Sequence, residues 1–203
     1  MIIGLVGFIG SGKGTVGSIL TEKGFVADSF ARPLKDACSK IFGWPRNMLE
    51  GDTEVSRAWR EKPDAYWTEK FGYDFSPRLA LQLMGTEAGR NVFHQDVWVI
   101  SLLNRSKGKN VVVTDVRFKN EIAHIQDNGG KVIRVIRGTE PEWYDDLFQI
   151  KDFSKRQEYM SKFNVHQSEW DWVGAEFDYT IINDGNLDDL GNAVERMLSY
   201  LKE

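Results

Sequence analysis

Gly7-Phe8-Ile9-Gly10-Ser11-Gly12-Lys13-Gly14-Thr15 is the stretch on which the reading of this chain turns. An apolar run, residues 2–6, precedes it, and a helix-forming stretch, residues 15–20, follows. Strand, glycine-rich turn, lysine and helix form the context in which a phosphate-binding loop grips a nucleoside triphosphate. The glycines let successive backbone N–H groups turn inward. The positive end of the helix adds to their field, and together they cradle phosphate oxygens. Lys13 brings a mobile charge that can follow the β- and γ-phosphates. The expected triphosphate contacts are therefore Gly10, Ser11, Gly12, Lys13, Gly14 and Thr15. One position departs from the common pattern: a hydroxyl residue usually follows the lysine directly, and here Gly14 intervenes. Thr15 then has two readings, a direct Mg²⁺ contact or a hydrogen bond to an α- or β-phosphate with the Mg²⁺ held through water. A bare glycine turn without a ligand is the plainer alternative, and nine fitting positions in the right context weigh against it.

Outward from the loop, further short apolar runs read as strands: residues 24–29, 111–113, 132–136 and 179–182. Helical patterns lie between them. One begins at Pro33, with Leu34, Ala37, Cys38 and Ile41 on a face; others cover 78–84, 97–103 and 120–127. A last helix carries Leu187, Leu190, Val194, Met197, Leu198 and Leu201. Five strands alternating with helices predict an α/β fold in three layers, a five-stranded parallel sheet with helices on both faces, in one domain over 1–203. Such sheets bind ligands beyond the carboxyl ends of their strands. The phosphate loop, Asp115 to Glu121, and Arg137 all fall there. Residues 44–77, rich in Trp, Pro, Gly and charge, read as a helical insertion. Residues 138–172, polar and aromatic, read as a lid, or else as a partner surface.

Composition narrows the class. The chain has 203 residues, 41% of them hydrophobic, enough for a real core. Basic and acidic residues number 26 and 30, for a net charge of −4, with no strongly basic half, so nucleic acid is not an expected partner. No run approaches the ~20 apolar residues of a membrane helix, and the apolar N-terminus, with no positive residue before it, reads as a strand rather than a signal peptide. The single cysteine, Cys38, cannot form an internal disulfide, which fits a reducing cytoplasm. Cys38 reads as a buried small hydrophobe, and the three histidines lack metal-ligand spacing with it.

A triphosphate site does not name the acceptor. Phosphoryl transfer needs positive charge around the migrating group and a tethered acceptor, and an acceptor that is itself a phosphate ester calls for more arginines. Arg57, Arg60, Arg78, Arg90, Arg117, Arg134 and Arg137 are the candidates. Arg117 follows Asp115 at a strand end, Arg137 closes the next strand, and Arg78 follows Pro77 at a helix start.

The Gly-Lys-Gly-Thr form of the loop resembles that of adenylate kinase and related nucleotide kinases. Beyond it the chain resembles the phage-type deoxynucleoside monophosphate kinases almost to its end. The stretches that carry this are Ala31-Arg32-Pro33-Leu34-Lys35-Asp36, Glu50-Gly51-Asp52 with Arg57, and Arg78 through Gly85-Thr86-Glu87. They continue with Asp96-Val97-Trp98-Val99, Thr114-Asp115-Val116-Arg117-Phe118-Lys119-Asn120-Glu121 and His166-Gln167-Ser168-Glu169. The resemblance implies a P-loop nucleotide-kinase fold and transfer of the γ-phosphoryl of ATP, with Mg²⁺, to a deoxynucleoside monophosphate (dNMP). It implies an acceptor pocket of Lys35, Arg57, Arg78, Gly85, Thr86, Trp98, Asp115, Arg117 and Glu121. It permits a homodimer and a cytoplasmic location, the host's where a phage encodes the chain. Lys13, Arg117 and Arg137 are the expected catalytic cations.

The residue readings keep alternatives. Trp98 suits core as well as pocket, and Glu121 suits a helix dipole as well as a substrate. Asp115 has a second reading as a Mg²⁺ ligand at a strand end. His166 reads as a phosphate contact or a local hydrogen-bond partner. A related small-molecule kinase, of the dephospho-coenzyme A type, and a nucleotide-dependent switch or ATPase are the rival functions.

Overall fold

The computed structural model describes residues 1–202. The chain divides into two compact units: Met1–Ser29 together with Leu103–Glu203, and Phe30–Leu102.

The first unit holds five strands: β1 (Ile2–Val6), β2 (Val26–Asp28), β3 (Val111–Val113), β4 (Lys131–Ile136) and β5 (Tyr179–Ile182). All pair in parallel, in the order β2-β3-β1-β4-β5. β3, apolar at every position, is buried throughout, as a central parallel strand covered on both faces requires. On one face Ile3 and Leu5 of β1 pack against Val16 and Leu20 of α1 (Lys13–Glu22) and Leu190, Val194 and Met197 of α10 (Leu187–Tyr200). On the other lies α7 (Lys119–Asp127), so close at Gly4 that an added Cβ would sit 2.8 Å from Ile125 Cδ1. β1 is the middle strand, and the phosphate loop leaves its carboxyl end.

Residues 138–172 belong to this unit and contain α8 (Tyr144–Gln149) and α9 (Phe153–Met160). Trp143, Trp170 and Trp172 are buried and build interior, while Phe148 and Phe153 of the same segment are exposed. Phe8 of the phosphate loop joins it, with ring centroids 5.5 Å from Trp143, 6.0 Å from Tyr144 and 4.8 Å from Trp172. The buried Arg156 guanidinium replaces water by donating to the carbonyls of Leu147, Ile150, Trp170, Asp171 and Val173.

The second unit contains α2 (Arg32–Phe42), α3 (Glu54–Glu61), α4 (Ala65–Phe71), α5 (Pro77–Gln82) and the start of α6 (Val97–Arg105). Thr53, Asp64 and Ser76 cap α3, α4 and α5 with side-chain oxygens, which explains where these short helices begin. Leu34, Cys38, Trp44, Leu49, Phe75 and Ala80 form its core. The segment read as an insertion, 44–77, lies inside this longer unit. The helix expected to stop near residue 84 instead continues past α5 as a π-helix, Leu83–Phe93. Two glycines allow its wider turns to press on neighbours: an added Cβ at Gly89 would lie 2.6 Å from Trp98 Cζ2, and one at Gly85 3.1 Å from Leu34 Cδ2. Sequence periodicity near 3.6 gives no warning of a π-helix, a feature frequent at functional sites.

Candidate active site

The phosphate loop has the backbone its sequence predicts. Gly12 is the N-cap of α1 in the left-handed region, φ 99°, which other residues adopt only under strain. No side chain caps α1, and its first turn carries no acid, so its amides and dipole face no built-in competitor for an anion. At Gly7 a Cβ would collide with the Val135 carbonyl of β4. The loop is braced from β5: Asn183, buried just past that strand, donates from Nδ2 to the Ser11 carbonyl at 2.9 Å.

Lys13 arches back over the loop, its Nζ donating to the carbonyls of Gly7 at 2.7 Å and Phe8 at 2.8 Å. Burial, and then the nearby Arg117 charge, push its pKa down to about 8, while Glu169 opposes the shift. An ammonium with this pKa is charged at neutral pH and loses its proton at a pH where an ordinary lysine keeps it. We therefore expect kcat/KM for ATP, which reports the free enzyme, to fall about tenfold per unit above pH 8. A pH–rate profile flat to pH 9.5 contradicts the role of Lys13.

Two further loop-side expectations fall in this unit. Arg137, exposed at the end of β4, lines a cavity of about 210 Å³ with Gly7, Phe8, Ser11 and Trp172. Arg117, half-buried beyond β3, is ion-paired through Nη1 with Glu169 and lies 3.5 Å from Ser168 Oγ. Asp115 and Thr15 are half-buried, at the end of β3 and in the first turn of α1. The buried Glu121 accepts from the backbone N–H groups of Arg117 at 2.8 Å and Phe118 at 3.1 Å. It closes the start of α7.

The second unit holds Lys35, Arg57, Arg78, Gly85, Thr86 and Trp98. Lys35 Nζ lies 2.6 Å from Glu50 Oε2, and Glu50 also pairs with Arg46, whose Nε is 2.5 Å from Asp36 Oδ1. Two stretches singled out in the sequence, 31–36 and 50–52, are thus one charge network. Arg57 and Arg78 are exposed. Arg60, one turn from Arg57 on α3, shares their field: burial first, then the like charge of Arg78 and, more weakly, of Arg57, lower its pKa. Its Nε is buried without a partner. Gly51 takes a left-handed backbone, φ 69°, which suits glycine, and the Arg60 guanidinium tip lies against it. Trp98, half-buried, donates from Nε1 to the Gly85 carbonyl at 2.8 Å, so it both packs and satisfies the π-helix backbone. Thr86 is exposed on that helix.

No family model matches the chain. A protein of Acanthamoeba polyphaga mimivirus whose assigned name is deoxynucleotide monophosphate kinase is 35% identical over 152 residues, 68% of this chain and 74% of its own. The chain belongs to the deoxynucleoside monophosphate kinases. The deoxynucleoside-5'-monophosphate kinase of Escherichia phage T5 is 26% identical over 177 residues, 60% of this chain and 70% of its own. Among solved structures the kinase is similar to a dephospho-CoA kinase from Campylobacter jejuni, at 16% identity, TM-score 0.45, covering 98% of this chain and 96% of that one.

Sequence reasoning gave no task to two residues near the loop and Arg117. Asn183 reads as part of an Asn-Asp-Gly turn and is a buried brace, and Glu169 reads as a motif residue without a task. Cys38 is fully buried with its thiol 3.4 Å from Met84 Sδ, and burial pushes its pKa up to about 11, which removes it as a nucleophile at neutral pH. His166 caps its own short turn, Nδ1 accepting from Ser168 N at 3.2 Å. No helix among the described residues is long and apolar enough to cross a membrane.

Proposed function

We propose that this kinase transfers the γ-phosphoryl group of MgATP to the phosphate of a deoxynucleoside monophosphate, giving ADP and the deoxynucleoside diphosphate. The observation that carries the reading is the uncapped, acid-free start of α1 with Lys13 arched over the loop that precedes it. Family membership supports the choice of acceptor.

The residues take these roles. The amides of Gly10 to Thr15 hold the β- and γ-phosphates, and Lys13 exchanges its two carbonyl partners for phosphate oxygens. Thr15 and Asp115 offer hard oxygen donors of the kind Mg²⁺ prefers, and an ion arriving on ATP keeps most of its waters and needs only one or two such groups. Arg117 and Arg137 neutralise charge on the migrating group. Arg57 and Arg78 hold the acceptor phosphate through charge-assisted hydrogen bonds. Lys35, Gly85, Thr86 and Trp98 shape the acceptor side, with Trp98 offering an apolar wall. Asp115 is also placed to accept from a base edge or sugar hydroxyl, while Glu121 acts through the backbone of Arg117 and Phe118. Residues 138–172, anchored by aromatic contacts to Phe8, act as the cover that excludes water. An acceptor phosphate oxygen is already nucleophilic near neutral pH, so no strong general base is required.

The test is ADP formation from MgATP with each of the common dNMPs, the matching ribonucleotides, dephospho-coenzyme A, or no acceptor. The reading expects turnover that depends on a dNMP. ADP release without any acceptor, or with dephospho-coenzyme A alone, would overturn it.

A further inference from the structure

We propose that Glu169 is a positioning residue that fixes the direction of the Arg117 guanidinium for phosphoryl transfer. This inference rests on the function proposed above and adds a residue to it.

Two sets of contacts converge on Arg117. Its main chain is pinned by Glu121, which accepts from the N–H groups of residues 117 and 118. Its side chain is pinned by Glu169 and Ser168, both at Nη1. Both side-chain contacts use Nη1, which leaves Nε and Nη2 for a phosphate. The turn that presents Glu169 is itself immobilised. Ser168 Oγ is 2.9 Å from His166 Nδ1, and Asp171 accepts from Lys119 N of α7 at 2.9 Å and from Gln167 Nε2 at 3.2 Å. Behind it, buried Arg156 holds the carbonyls of residues 170, 171 and 173.

This much scaffolding is more than a surface ion pair needs. The Arg117 and Glu169 side chains are 43% and 23% exposed, and such a pair contributes little to folding. What it does contribute is direction, to a cation whose neighbour Lys13 carries like charge. An arginine free to swing would settle away from Lys13, and small misplacements of a transition-state cation are costly. The carboxylate also offsets part of the repulsion between the two cations.

The test is a double-mutant cycle on the full-length enzyme with MgATP and the dNMP it uses best. Glu169→Gln is expected to lower kcat about 10- to 100-fold, leave KM for ATP within about twofold, and lower Tm by less than about 4 °C. In an Arg117→Ala background the same substitution is expected to change kcat less than about twofold. An unchanged kcat in Glu169→Gln overturns the proposal. So does an equal loss in both backgrounds, or a loss of activity matched by a large fall in Tm. A wild-type enzyme that makes no dNDP refutes the proposed function instead, so the two failures are separable.

Discussion

Lys13→Ala is expected to lower kcat/KM for ATP by about 10²–10³-fold or more while the protein stays folded. The lysine makes two hydrogen bonds, both to carbonyls of its own loop, at 2.7 and 2.8 Å. Neither joins separate elements, and the loop keeps its other support, the Asn183 bond to Ser11 and the Val16 to Gly12 bond that starts α1. Removing a partly buried charge whose burial opposes ionisation relieves a desolvation cost, so stability is expected to hold or rise slightly. In the proposed reaction the same ammonium faces oxygens on which negative charge is shifting, and nothing else in the loop carries a full positive charge. Steady-state kinetics with a thermal melt checks this: near-normal turnover in a folded variant contradicts the assignment.

Arg78→Ala is expected to raise KM for the dNMP and lower kcat/KM for it by about 10- to 150-fold, with KM for ATP unchanged. The figure corresponds to losing hydrogen bonds to a charged group, about 1.5–3 kcal/mol. Arg78 is exposed at the first turn of α5. Its charge opposes that of Arg60, which is held against the carbonyls of Leu49 and Glu50 at 3.5 and 3.4 Å. Glu61 and Glu50 offset part of this like-charge repulsion at Arg60, and an anionic acceptor would offset more of it. Removing Arg78 relieves that repulsion, so Tm is not expected to fall. Kinetics with the acceptor varied at saturating ATP gives the answer. Unchanged acceptor kinetics, or a fall in Tm that accounts for the loss, removes Arg78 from the acceptor site.

Much of the fold was legible because its signals are local. The five strands are short apolar runs with glycine or polar ends, and their observed bounds differ from the expected ones by a few residues at most. The phosphate loop was legible for the same reason: glycine spacing, lysine and flanking elements lie within twenty residues. The parts that were hidden depend on partners far along the chain. Asn183 meets Ser11 across 172 residues, and Arg117 meets Glu169 across 52, distances over which a sequence carries no period. The π-helix was hidden because its pairing is wider than the 3.6-residue repeat that reveals a helix. Glu121 illustrates a different limit. An acid in a helix's first turn serves a backbone or a substrate equally well on paper, and the two N–H groups that Glu121 accepts from lie close in sequence but carry no signal in it.

The most direct measurement supplies γ-labelled ATP, Mg²⁺ and a single dNMP to the purified enzyme and follows the label. The account predicts that the label leaves ATP only when the dNMP is present, and that it appears in dNDP with one ADP formed per dNDP. Label released as inorganic phosphate at the same rate with and without dNMP, and none in dNDP, would contradict it.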